Sequence, residues 1–242
     1  MTNSNTLERV ERLYEAFYGG EIPRLAEHEV HPELDLGSRE NYLYFTLPPT
    51  INFQRSSPAM WQSALKTWND PATNYLFFPE KVSQKKFDQV QKDLLKHKLA
   101  LQQNKHPTIW STISNTFHKL FGGDPRSLLE KGEYDAGKIL ALIQVEHKAD
   151  FPYLRGPKMA NYWLYILRQY TNVKLTNTQA ISIIPDTHVI QSSIKLGLVP
   201  QKATPETVAL AWKELLQGST ISPIDMHPVL WNWSRNNFLP EV

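Results

Sequence analysis

Apolar residues recur at helical spacing along most of this chain, and the strict alternation that marks a half-buried strand is sparse. Leu7, Val10, Leu13, Tyr14 and Phe17 fall on one face of a helix over 6–18, which Gly19-Gly20 closes. Residues 31–50 are rich in proline and aromatics and read as an ordered loop, with Pro48-Pro49 ruling out a helix there. Ser57-Pro58 reads as an N-cap followed by proline in the first turn, opening a helix to Trp68 that Asn69-Asp70-Pro71 stops. Phe87, Val90, Leu94, Leu95 and Leu99 form a loose helical stripe within 81–105. Further helices are expected over 107–121, 124–131, 135–147, 159–167, 186–197, 204–216 and 223–238, while 176–184 fits helix or strand equally. The pattern predicts an all-α protein.

Composition narrows the classes. The 242 residues suffice for one large domain or two small lobes around a sizeable core. The formal net charge is only +2, so any nucleic-acid face must come from local clustering. The stretch 81–105 is such a cluster: it carries Lys81, Lys85, Lys86, Lys92, Lys96, Lys98 and Lys105 against Asp88 and Asp93. It reads either as a solvated helix face or as a surface that meets phosphates. The chain has no cysteine, which excludes disulfides, thiolate nucleophiles and cysteine-held zinc or iron–sulfur centres. No metal and no cofactor are expected. No apolar run approaches the roughly 20 residues that span a bilayer, and Met1–Thr6 lacks an apolar signal core. A soluble, cytoplasmic protein without a membrane partner is the expectation.

Two segments carry the candidate chemistry. In the first, Phe151–Tyr162, Gly156-Pro157 opens a helix at Lys158. Unpaired N–H groups at a helix start attract anions, and the helix dipole adds to this. A lysine in that first turn is unfavourable for the dipole, so use explains it better than stability does. Desolvation there would make its amine a better nucleophile, although taken alone an exposed surface lysine explains it equally well. In the second, Ile184–Leu198, Pro185 precedes Asp186 at a helix N-cap. Capping alone accounts for Asp-Thr-His; a carboxylate there also suits stabilisation of the positive charge that develops on a sugar as its glycosidic bond breaks.

Together these segments resemble the helix-hairpin-helix superfamily of DNA glycosylases, which includes endonuclease III, 8-oxoguanine glycosylase and the alkyladenine glycosylases. In that family a hairpin of the Leu-Pro-Gly-Val-Gly-x-Lys type precedes an apolar helix and then a Val/Pro-Asp-Thr/Val-His segment. Gly156-Pro157-Lys158 falls where the Gly-x-Lys lies, and Ile184–Val189 where the aspartate segment lies. The segment Ile51–Ser57 looks like the family's Leu-Ser-x-Gln-x-Thr-Asp stretch, and all three matches occur in the family's order. The resemblance implies two helical lobes, 1–57 with 200–242 and 58–199, forming one glycosylase-like domain. It implies a helix-hairpin-helix over about 140–170 and an active site in the cleft. Lys158 would be the Schiff-base lysine and Asp186 the catalytic carboxylate. Arg155, Gly156 and His188 would lie at the DNA, as would Gln54 and Ser56, with Gln54 near the hole left by a flipped base.

Two departures stand out. Tyr153-Leu154-Arg155 precedes Gly156 in place of the first family glycine, and Lys158 and Asp186 are 28 positions apart, a longer separation than is usual in the family. The archaeal 8-oxoguanine glycosylase branch is similar in its long insertion and in a Lys-Met pair like Lys158-Met159. For the base pocket the candidates are Tyr42, Tyr44, Asp225, Trp231 and Trp233, with the alternative that the tryptophans pin the last helix into the core. The expected partner is double-stranded DNA bearing a damaged or modified base, met by a monomer. An oxidised purine such as 8-oxoguanine is the first substrate. A monofunctional enzyme for an alkylated or phage-modified base and a non-catalytic DNA-binding protein are the alternatives.

Overall fold

The computed structural model describes residues 3–24 and 29–242, with side chains from residue 5 onward. Among the described residues it holds twelve α-helices and no strand beyond one isolated bridge between Asp135 and Thr176. The chain divides into two compact units, Met1–Ala26 with Asn177–Val242, and Glu27–Thr176. Residues 29–57 therefore fold with the central part of the chain, and 177–199 with its two ends.

The first unit contains α1 (Asn3–Tyr18), α10 (Thr187–Lys195), α11 (Pro205–Leu215) and α12 (Met226–Arg235). The α1 stripe buries Val10, Leu13 and Phe17 against Val189, Trp212, Val229, Leu230 and Trp233. Polar groups inside this core are satisfied: Trp212 Nε1 donates to Ser193 Oγ at 2.8 Å, Ser193 Oγ donates to the Val189 carbonyl at 2.7 Å, and Ser192 Oγ to that of Leu230 at 2.8 Å. Helix entries of this unit carry side-chain devices. Thr204 caps α11, and Ser222 with Asp225 forms a capping box ahead of α12. At the end of α10, Gly197 takes φ +71°, the left-handed turn that glycine adopts without strain.

The second unit contains α2 (Arg39–Thr46), α3 (Ser57–Asn69), α4 (Pro79–Ser83), α5 (Phe87–Lys96), α6 (Lys105–Leu120), α7 (Pro125–Lys131), α8 (Ala136–Ala141) and α9 (Pro157–Tyr170). The expected loop over 31–50 is corrected here. Ser38 caps α2 by accepting the Asn41 N–H, and Asn41–Thr46 are all buried, so tertiary packing makes a helix of a stretch whose prolines forbid one only from Pro48 on. Even there the chain makes a 3-10 turn, Pro48–Ile51. The N-cap of α3 is Ser56, one residue before the expected Ser57. The lysine-rich stretch is not one helix: α4, α5 and a loop over 97–104 share it. Phe87 of its stripe is exposed, while Val90, Leu94 and Leu99 are buried. The core is aromatic, with Tyr44 stacked on Trp61 at 5.6 Å and on Phe77 at 5.6 Å. Trp163 on α9 donates Nε1 to Thr46 Oγ1 at 3.1 Å, which fixes α9 against α2. A π-helical turn, Leu142–Glu146, follows α8, and a turn-rich connection leads to α9.

Candidate functional site

Lys158 stands in the first turn of α9. Gly156 is the N-cap with no side-chain cap bond, and Pro157 occupies the next position. Pro157 has no N–H, so the orphan donors of this helix start are those of Lys158 and Met159. The Lys158 side chain is exposed, and its amine has no hydrogen-bond or ion-pair partner among the described residues. The turn before it is held firmly. Gly156 N donates to the Tyr153 carbonyl at 2.9 Å, and Tyr153 takes φ +66°. Arg155 is exposed; its Nη1 donates to the Lys148 carbonyl at 2.6 Å, and its own carbonyl accepts from Gln144 Nε2 at 3.2 Å.

The Gln54–Ser57 segment lies beside this turn in the same unit. Tyr153 donates its hydroxyl to the Asn52 carbonyl at 3.2 Å, and the Phe53 and Tyr153 rings are 4.7 Å apart. Gln54 and Ser56 are exposed, with Gln54 Oε1 accepting from Gln102 Nε2 at 2.9 Å. One turn after Lys158 along α9, the spacing that shares a helix face, Tyr162 meets three groups. Its hydroxyl lies 2.5 Å from Ser57 Oγ, donates to Glu29 Oε1 at 3.1 Å, and accepts from Trp61 Nε1 at 3.2 Å. Burial, and next the Glu29 carboxylate, push the Tyr162 hydroxyl well above its ordinary range, so it stays protonated and donates. Sequence reasoning missed this network. Ser57 was legible only as a cap and Glu29 carried no signal, but the four-residue step from Lys158 to Tyr162 could have found the tyrosine.

In the first unit, Asp186 is the N-cap of α10, and its Oδ1 accepts the Val189 N–H at 2.9 Å. The carboxylate is half-buried, and Oδ2 has no bonded partner among the described residues. His188 follows on α10; its Nδ1 lies 3.1 Å from Ser234 Oγ, and its ring stands edge-on to Trp231 at 5.5 Å. Trp231 is half-buried, with the Arg235 guanidinium 4.6 Å from its ring centre. His188, Trp231 and Arg235 thus form one aromatic and cationic face across α10 and α12.

Three of the other pocket candidates, Tyr42, Tyr44 and Trp233, are packed inside. Tyr42 is buried and donates to Asn172 Oδ1 at 2.8 Å, Tyr44 is buried and donates to the Val30 carbonyl at 2.9 Å, and burial pushes both hydroxyls up. Trp233 lies in the core with Nε1 donating to the Pro240 carbonyl at 2.9 Å. Asp225 accepts the Ser222 N–H and hydroxyl in the capping box. A groove of about 530 Å³ in the second unit is lined by Tyr75, Lys81, Lys85, Gln89 and Asp93, among others, and by none of the candidate residues. Among the described residues no group of three His, Asp or Glu is placed to hold a metal ion, and no helix is long and apolar enough to cross a membrane. No family model and no curated protein matches this chain.

Proposed function

We propose that the protein is a DNA glycosylase that removes a damaged or modified base, with Asp186 as its essential carboxylate and Lys158 as its nucleophile. The observation that carries this reading is the state of Asp186. One oxygen holds the α10 cap and thereby fixes the carboxylate, leaving the other for a developing positive charge. A carboxylate held by its own helix needs little reorganisation when the glycosidic bond breaks.

In the proposed reaction the target nucleotide is flipped from the duplex. The nitrogen lone pair of Lys158 attacks C1′, the C1′–N bond breaks, and the base departs with the bonding pair and takes up a proton. Asp186 stabilises the oxocarbenium character that develops at C1′. Loss of the amine proton and opening of the sugar ring give a Schiff base, from which elimination of the 3′-phosphate cleaves the strand. The turn 153–156 supports Lys158 by anchoring the start of its helix, and the exposed Arg155 beside it is the residue to meet a phosphate. This turn, with the helices on either side of it, is the proposed helix-hairpin-helix. The first substrate to test is 8-oxoguanine in duplex DNA, followed by alkylated bases and modified bases of phage DNA.

Borohydride reduction in the presence of lesion-bearing duplexes tests the nucleophile. A covalent protein–DNA adduct is expected from the wild type and not from Lys158→Gln. Base release without any adduct, persisting in Lys158→Gln and lost in Asp186→Asn, would instead assign a water nucleophile activated by Asp186. Base release unchanged in both variants would remove both residues from the chemistry.

A further inference from the structure

A second set of residues in the Glu27–Thr176 unit has features that packing does not account for. Three non-glycine residues with left-handed backbone converge there: Gln54 at φ +59°, Lys98 at φ +57° and Tyr153 at φ +66°. Such strain persists only where surrounding contacts enforce it, and it concentrates at functional sites. The enforcing contacts are visible. Arg55 donates Nη1 to the Lys98 carbonyl at 2.8 Å and Nη2 to the Leu99 carbonyl at 2.7 Å, pinning the 97–104 loop onto the 52–55 segment. Tyr153 ties the same segment through the Asn52 carbonyl.

The polar groups of this junction are incompletely satisfied. Arg55 Nε, Asn52 Oδ1 and His106 Nε2 are buried without a hydrogen-bond partner, and His106 is fully buried. His106 Nδ1 accepts the Leu101 N–H at 3.1 Å, which puts the ring proton on Nε2, and the ring centre lies 4.5 Å from that of Phe53. Buried donors lacking acceptors are costly, and native proteins keep few of them.

Charge points the same way. Arg55, Lys98 and Lys105 have no carboxylate partner among the described residues, and Lys105 Nζ sits 4.5 Å over the Phe53 ring. Of the other lysines of the stretch, Lys96 pairs with Asp70 at 2.6 Å, Lys81 and Lys85 lie over Phe78 and Tyr75, and Lys86 and Lys92, away from the Arg55-pinned loop in sequence, have no carboxylate partner among the described residues. Lys105 opens α6, the end where the helix dipole disfavours a cation. The N-cap there, Asn104, makes no side-chain cap bond, because its Oδ1 accepts from Gln91 instead. The backbone there offers little to a ligand, since the His106 N–H donates to the Gln102 carbonyl at 3.3 Å and Pro107 has no N–H; what suits an anion is the pair of exposed cations, Lys98 and Lys105, that no carboxylate neutralises.

We propose that residues 52–55 and the 97–105 loop form a phosphodiester-binding platform for duplex DNA, with Lys98 and Lys105 as phosphate contacts and Arg55 as the residue that positions the loop. The ligand rests on the DNA reading above. The bonded amides of Gln54 and Gln102 at the same surface supply neutral donors and acceptors beside the phosphates.

The test is binding of a lesion-free DNA duplex, followed by fluorescence anisotropy across about 50 to 200 mM salt. Lys98→Glu/Lys105→Glu is expected to weaken binding at low salt by about ten-fold or more. Lys98→Gln/Lys105→Gln is expected to make the slope of log affinity against log salt shallower by about 2, one step per lost phosphate contact. A charge-matched control in the other unit, Lys202→Glu/Lys213→Glu at two exposed lysines, is expected to stay close to wild type. Wild-type affinity and salt slope in the glutamine double variant would overturn the platform while leaving the glycosylase reading intact. An equal loss in the control would do the same, by showing that net charge rather than this surface acts. Absence of DNA binding by the wild type would overturn both.

Discussion

At the residue scale, two side chains allow structure and chemistry to be separated. Asp186 caps α10 through Oδ1, and asparagine caps about as well as aspartate. Asp186→Asn is therefore expected to change stability by less than about 0.5 kcal/mol, and Asp186→Ala to cost about 1 kcal/mol, both measured by urea denaturation. Both are expected to lower base release by about a hundred-fold or more, which a purely capping role would not produce for the asparagine variant. His106 supplies a pH test. Burial, with Arg55 and then Lys105 nearby, pushes its pKa down to about 4. The unfolded chain takes up this proton near the ordinary histidine pKa of about 6.5, and the folded protein does not until about 4. Between these values the unfolded state binds more protons, so stability falls as the pH is lowered through this window. The loss is at most about 3 kcal/mol, less what solvent screening removes. A thermal-melt series from pH 7 to 4 should flatten over this window in His106→Gln; an unchanged profile in that variant would assign the drop to other groups.

At the element scale, α9 organises the second unit. One side of it is buried through Trp163 and Thr46, its first turn exposes Lys158, and Tyr162 ties it to Ser57, Trp61 and Glu29. Tyr162→Phe keeps the ring but removes the hydroxyl, leaving the Trp61 N–H without its acceptor. A loss of about 1–3 kcal/mol is expected from denaturant unfolding. A variant as stable as wild type would show that water replaces the hydroxyl. Most helices were legible because their caps and apolar spacing lie within a few residues: Thr204-Pro205 opens α11, and Leu7 to Phe17 form the buried face of α1. Two were not, for physical reasons. α2 is made by burial of nearly its whole length, which no local period reports. The lysine-rich stretch carries one apolar stripe, but Arg55, distant in sequence, pulls its C-terminal part into a loop. Lys158 and Asp186 were proposed from their neighbours in sequence, and their helix-start positions on α9 and α10 were legible there. Tyr162 was within reach of its spacing from Lys158, but its partners Ser57 and Glu29 and the junction around His106 depend on contacts between segments far apart in the chain, which no local pattern reports.

At the scale of the whole molecule, the net charge of +2 conceals an uneven distribution. Cations without carboxylate partners gather at Arg55, Lys98 and Lys105 in one unit, and an aromatic and cationic face at His188, Trp231 and Arg235 lies in the other. Lys158 belongs to the Glu27–Thr176 unit and Asp186 to the other. The most direct test of the proposed reaction reads the loss of the base itself. Duplexes carrying 8-oxoguanine, alkylated bases or phage-type modified bases are incubated with the protein, and free base is quantified by mass spectrometry. The account predicts release from at least one substrate by the wild type, and a fall of about a hundred-fold or more in Asp186→Asn, the scale of losing one preorganised electrostatic group. Release that proceeds at the wild-type rate in Asp186→Asn, or no release from any of these substrates, would contradict it.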